Sequence, residues 1–193
     1  GDGQFYTPND VNYTWTDVER LIVSAPDGGL WFVANPVSPS GPTGSSVAHM
    51  RPDGTFEPAV ETSRIFVQDI SVGADGSVWV TGDGPNGIID RITPDGKAQQ
   101  IELPCSDWPG SDIFPMVTQW LEPGPDGSMW FTVNFLNSTD GKREVDMLAR
   151  VRLDGTVDIR YAPNKPVVGG IDGTEGLFQG ADNKLWNLQW ESR

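Results

Sequence analysis

The chain has 193 residues, 37% of them hydrophobic, and a formal net charge of −14. That charge argues against nucleic acid or an anionic membrane as partner, since both are bound by surfaces rich in Lys and Arg. No run approaches the roughly 18 consecutive apolar residues of a membrane-spanning helix. The single cysteine, Cys105, rules out an internal disulfide.

Residues 1–8 read Gly-Asp-Gly-Gln-Phe-Tyr-Thr-Pro, a pattern that returns after the turns at Asp53-Gly54, Asp95-Gly96 and Asp154-Gly155. An outer strand over residues 4–8 is expected there, with its hairpin partner missing. A polar connector containing Trp15 follows. Then comes Pro26-Asp27-Gly28-Gly29-Leu30-Trp31-Phe32-Val33. Asp-Gly before an alternating apolar run is a strong hairpin signal. Gly supplies positive φ and Asp tolerates left-handed geometry.

The same unit recurs at Ala74-Asp75-Gly76-Ser77-Val78-Trp79, at Pro125-Asp126-Gly127-Ser128-Met129-Trp130 and, more weakly, at Ala181-Asp182-Asn183-Lys184-Leu185-Trp186. The tryptophans are 48, 51 and 56 residues apart, a repeat spacing. Each stands four residues after its Asp, so each points to the same face and is expected to pack one sheet on the next. A second Asp-Gly in three of the units completes a pattern of four antiparallel strands. Such units bury both faces only against neighbours, which is the design of a β-propeller blade.

The expected fold is therefore all-β: a propeller of four-stranded antiparallel blades over residues 20–60, 67–103, 117–161 and 174–190. The connector 104–116 carries Cys105, Trp108 and Phe114, and the loops from Asn35 and Asn134 are long and polar. Three blades are complete. The terminal pieces either make a fourth blade lacking one strand or belong to a larger propeller. The second reading is preferred, because open sheet edges are normally protected. With neither signal peptide nor initiator Met, the chain reads as a mature form or an excised piece, with a secreted or periplasmic location as the expectation.

Gly124-Pro125-Asp126-Gly127-Ser128-Met129-Trp130-Phe131 and Arg91-Ile92-Thr93-Pro94-Asp95-Gly96 resemble the repeats of the streptogramin (virginiamycin B) lyase family of β-propellers. The resemblance covers nearly the whole chain. It implies a metal-dependent lyase that opens a cyclic depsipeptide by elimination, with His and Glu at the central funnel and magnesium nearby. The family His falls seven residues before the turn Asp; those positions here are Arg20, Gln68, Gln119 and Glu175. The positions matching the Glu of the family's Trp-Phe-Thr-Glu ending hold Ala34, Gly82, Val133 and Gln189. The family's catalytic set is not visible, so a ligand-binding or scaffold propeller is expected. The alternatives are a metal-assisted C–O lyase whose catalytic residues lie outside this chain, and a gluconolactonase-like hydrolase that depends on Ca²⁺.

By register, Arg20, Gln68, Asp69, Gln119, Trp120 and Glu175 enter the central channel, where they either bind a polar small molecule, peptide or sugar or simply solvate it. Asn35, Asp83 and Asn134 share one register just past the Trp strand. They either supply oxygen ligands to Ca²⁺ or Mg²⁺ or serve turn chemistry. His49, the sole histidine, aligns with Arg91 and Arg150 and reads as a packing residue on an outer strand. Asp83-Gly84-Pro85-Asn86-Gly87 is a turn and lacks the Lys of a phosphate loop. The sequons at Asn12 and Asn137 are short and often fortuitous. Trp15, Trp108, Trp190 and Trp120 make either an aromatic platform or core. A second chain or a homo-oligomer is an expected partner that would complete the ring.

Overall fold

The computed structural model describes residues 21–34, 44–64, 66–83, 87–103, 113–117, 120–137, 143–161 and 174–189. Among them every regular element is a strand, and all strand pairing is antiparallel. Blade one contains β1 (Ile22–Ser24), β2 (Leu30–Ala34), β3 (Ser46–Met50) and β4 (Val60–Glu61). Blade two contains β5 (Phe66–Val72), β6 (Val78–Asp83), β7 (Ile88–Ile92) and β8 (Ala98–Glu102). Blade three contains β9 (Ile113–Val117), β10 (Glu122–Pro123), β11 (Met129–Asn137), β12 (Arg143–Val151) and β13 (Val157–Tyr161). Blade four is the pair β14 (Thr174–Gln179) and β15 (Leu185–Gln189). The expected strand over residues 4–8 lies outside the described residues.

The turns explain why the Asp-Gly signal recurs. Gly28, Gly76 and Gly127 take φ of 87°, 79° and 77°, and Asn183 takes 60° in the fourth copy. The Asp is not the left-handed residue. Its carboxylate instead accepts the backbone N–H two residues on: Asp27 from Gly29 at 2.9 Å, Asp75 from Ser77 at 3.1 Å, Asp126 from Ser128 at 3.1 Å, Asp182 from Lys184 at 3.2 Å. Each Asp thus satisfies the first donor of the Trp strand.

Two expected strands are broken. The outer strand near 55–60 survives as a bridge from Phe56 to Met50 and as β4. Pro58 between them has no N–H to give the ladder. Of the stretch expected as one strand over 117–122, Val117 ends β9 and Glu122 opens β10, and the N–H of Leu121 bonds the buried carboxylate of Asp69 at 2.7 Å.

The blades pack face to face. Trp31, Val23, Val33 and Val47 of blade one lie on Ile70, Val78, Val80 and Ile92 of blade two. Trp79 and Ile89 of blade two lie on Leu121, Met129, Phe131, Val133 and Val151 of blade three. Trp79 is fully buried. Contacts between sheets run through the first strands: β1 meets β5, β5 meets β10, and β10 meets β14. These strands define the inner side of the stack.

One buried ion pair joins blade one's exit to blade two. Arg64 Nε donates to Asp90 Oδ2 at 2.9 Å, and both side chains are 2% exposed. Arg64 also donates to the Gly82 carbonyl at 3.2 Å and to Ser63 Oγ at 2.9 Å. Removing Asp90 alone leaves a buried guanidinium without its counter-charge. Asp90→Ala should lower stability by about 3–5 kcal/mol in urea denaturation, and Arg64→Met with Asp90→Leu should cost less than that single change. Additive losses in the double variant would show that the pair is not coupled.

Candidate functional site

The inner strands share a defect at one register. In β5, Val67 pairs with Gly82 and Asp69 with Thr81, so Gln68 is an extra, bulged residue. In β14, Thr174 pairs with Gln189 and Gly176 with Leu188, so Glu175 is the extra residue. In blade three the corresponding position, Gln119, lies outside the described residues, and the residue after it, Trp120, adopts φ 71°. A non-glycine residue at positive φ carries backbone strain. A bulge breaks the in-out alternation and re-aims its side chain.

Glycine is required opposite the bulge in blade two. Gly82 has φ 152°, and a Cβ there would lie 2.0 Å from the Phe66 carbonyl oxygen. Gly82 is therefore set by the close approach of β5.

The predicted site residues divide as follows. Gln68 is half-buried at the shared register, Glu175 is there by its backbone, and Trp120, half-buried, lies one residue past the matching position of blade three. Arg20 and Gln119 lie outside the described residues, as do Asn35, Cys105, Trp15, Trp108 and Trp190. Asp69, expected at the channel, is fully buried between blades two and three, where it accepts the Leu121 N–H. Asp83 and Asn134 are not loop residues, because β6 runs through Asp83 and β11 continues to Asn137. Their side chains, and that of Glu175, lie outside the description. Among the described residues, no group of three or more His, Cys, Asp or Glu is placed to hold a metal ion.

A second cluster occupies the hairpin-turn end of the blades, roughly 15 Å from the bulges by strand rise. A groove of about 500 Å³ between blades one and two is lined by Asp27, Trp31, His49, Arg51, Glu57 and Asp75, among others. The His49 ring stacks on Trp31 with centroids 4.7 Å apart. Its Nε2 lies 3.3 Å from Asp27 Oδ1 and its Nδ1 lies 3.2 Å from Glu57 Oε2. Both ring nitrogens thus have carboxylate partners.

Blades two and three build the same cluster with arginine. Arg91 lies over the Trp79 ring at 5.4 Å and pairs with Asp75; Arg150 lies over Trp130 at 5.2 Å and pairs with Asp126 and Asp158. Missing from the sequence reading was the reason His49 aligns with these arginines: all three lie against the ring of the cross-strand tryptophan. The available signal was the cross-strand register, Trp31 with His49, Trp79 with Arg91 and Trp130 with Arg150.

Stacked, register-matched antiparallel sheets whose first strands line one side define a β-propeller-type repeat protein. No family model and no curated protein matches the sequence. Among solved structures, the chain is similar to a streptogramin B lyase, with 18% identity and a TM-score of 0.44 over 86% of this chain and 60% of that one. It is also similar to a protein described as a candidate gluconolactonase, with 16% identity and a TM-score of 0.48 over 87% of this chain and 57% of that one. The chain thus spans less than two thirds of the length of either structure.

Several turn and groove carboxylates have lowered pKa values. The Gly29 N–H and then His49 lower Asp27; the Arg51 and His49 side chains lower Glu57. Burial raises Asp75 and Asp126, but Ser77 with Arg91, and Ser128 with Arg150, outweigh it. A carboxylate lowered on folding stabilises above its unfolded pKa, 3.8 for Asp and 4.5 for Glu, and ceases to do so as pH falls through the lower folded value. The melting temperature should therefore be insensitive to these groups above about pH 5 and drop steadily below it. Scanning calorimetry from neutral to acid pH tests this, and a rising melting temperature on acidification would contradict it.

Proposed function

We propose that this chain is a binding module for a polar ligand, a sugar or a short peptide, held at the bulged end of the innermost strands. The observation that carries the reading is the recurrence of the same one-residue bulge in blades two and four. Regular blades have no need of it, and bulges concentrate beside functional sites because they turn a side chain out of the sheet. Gln68 would contribute amide donor and acceptor groups, Glu175 a carboxylate, and Trp120 an aromatic surface for stacking. Such a set can recognise hydroxyls and amides. His49, with both nitrogens engaged at the far end of the blades, plays no part in this reading.

Thermal shift across a panel of sugars, short peptides, CaCl₂ and MgCl₂ tests it. A ligand present at about 100 times its Kd adds about 2.7 kcal/mol of stability. One sugar or peptide class should raise the melting temperature, and Gln68→Ala and Glu175→Ala should each weaken that effect. A shift untouched by both variants would put the ligand elsewhere. A shift produced only by Ca²⁺ or Mg²⁺ and lost in Asp83→Ala would replace this reading with a metal-assisted one.

A further inference from the structure

Blades two and three each hold a guanidinium of their own at the turn aspartate. Arg91 Nη2 pairs with Asp75 Oδ2, and Arg91 Nη1 reaches across to donate to the Leu153 carbonyl of blade three at 3.4 Å. Arg150 Nη1 donates to Asp126 Oδ2 at 2.8 Å. Each guanidinium lies over its cross-strand tryptophan. Blade one keeps the turn aspartate and the tryptophan but has His49 at the arginine's register.

The shorter imidazole leaves one oxygen free. Its Nε2 meets Asp27 at Oδ1, the oxygen that also accepts the Gly29 N–H. Oδ2, the oxygen that takes the guanidinium in the other two blades, accepts no hydrogen bond from the described residues. No hydroxyl replaces it either: Ser77 Oγ donates to Asp75 Oδ2 in blade two, and blade one has Gly29 at that place. Gly29 and His49 go together, since a Cβ on Gly29 would lie 2.8 Å from His49 Nε2. Arg51 does not fill the gap, because its Nε and Nη2 both donate to Glu57. The Asp27 side chain is 48% exposed, against 23% for Asp75. Asp27 faces the groove of about 500 Å³, a size within the range of about 300–1,000 Å³ typical of ligand pockets. Its walls are blades one and two, both four-stranded, and blade two contributes Pro94, the match of Leu153 in the second turn of the repeat.

We propose that this groove binds a guanidinium group from outside the chain, in the place that Arg91 and Arg150 fill in their own blades. Asp27 Oδ2 accepts one N–H, and the Pro94 carbonyl accepts another as the Leu153 carbonyl does from Arg91. A planar guanidinium can meet two such acceptors at once, whereas an ammonium acts as a point charge. The net charge of −14 draws in any cation, so preference for guanidinium over ammonium is the signature of the site. The site lies at the opposite end of the blades from the bulges and does not rest on the reading given for them.

Isothermal titration calorimetry of the 193-residue chain at about 0.15 M salt, where exposed charges are screened beyond about 8 Å, is the test. The probes are N-acetyl-arginine amide and its lysine and citrulline counterparts. The arginine probe should bind as a single molecule per chain, at least about tenfold more tightly than either of the others. Asp27→Asn keeps an oxygen for the Gly29 N–H and should weaken arginine binding at least about tenfold. His49→Arg gives blade one a guanidinium of its own and should abolish binding while raising the melting temperature. Where one variant lacks a native far-UV spectrum, the other decides. A tripeptide with a central arginine that binds more tightly than the amide would identify a polypeptide arginine as the occupant; equal binding would identify a small molecule, and both results uphold the site. Absence of arginine binding, equal binding of arginine and lysine, or binding unchanged in either folded variant would overturn the proposal. So would binding that is lost in Gln68→Ala and kept in Asp27→Asn, because it would place the guanidinium at the bulged end.

Discussion

Blades one and two each depend on a tryptophan, Trp31 and Trp79, that stands four residues beyond a turn aspartate and wedges into the next sheet. Its ring needs room on both sides. In blade three the indole passes so near Gly124 that a Cβ there would come within 2.3 Å of its Nε1. Gly73 and Gly180 hold the same position in blades two and four. The ring's other side is capped by a cation or an imidazole on the cross-strand residue, and that group is paired with the turn carboxylate. Glycine, aspartate, tryptophan and arginine or histidine therefore form one unit. A large aromatic adds apolar area to the interface, and the cap lies against its ring.

Polar groups then join sheet to sheet on the inner side. The Asp69 carboxylate of blade two accepts from the backbone of Leu121 in blade three, and Glu122 of blade three accepts from the backbone of Gln179 in blade four at 3.1 Å. The first of these bonds satisfies a buried donor just before β10 opens. Unpaired buried N–H groups are costly, so a break in the strand and a carboxylate from the neighbouring blade occur together. Beside Trp120, the backbone that leaves its ladder is thus held by a carboxylate from the neighbouring blade.

The repeat was legible because its determinants are local. Asp-Gly sets a turn, a fixed offset sets the side on which tryptophan emerges, and alternation sets the two faces. Pro58 marked the break in blade one's outer strand, though the apolar run around it masked the signal. The fate of Asp69 was not legible. Its neighbours in sequence place it beside Gln68, but its partner is 52 residues away in another sheet. The same holds for Arg64, a connector residue whose full burial depends on Asp90 and on the carbonyl of Gly82. Nothing local distinguishes it from a solvated arginine.

By itself, then, the sequence determined the repeat, the antiparallel hairpin order within its units and the face on which each tryptophan lies. All three follow from turn chemistry and the two-residue period of a strand. Only the tertiary structure decided which polar residues are buried as fasteners and which remain at the bulges, and that His49 is a capping group. Those outcomes depend on which carboxylate meets which freed N–H or guanidinium across an interface, a pairing between residues far apart in the chain.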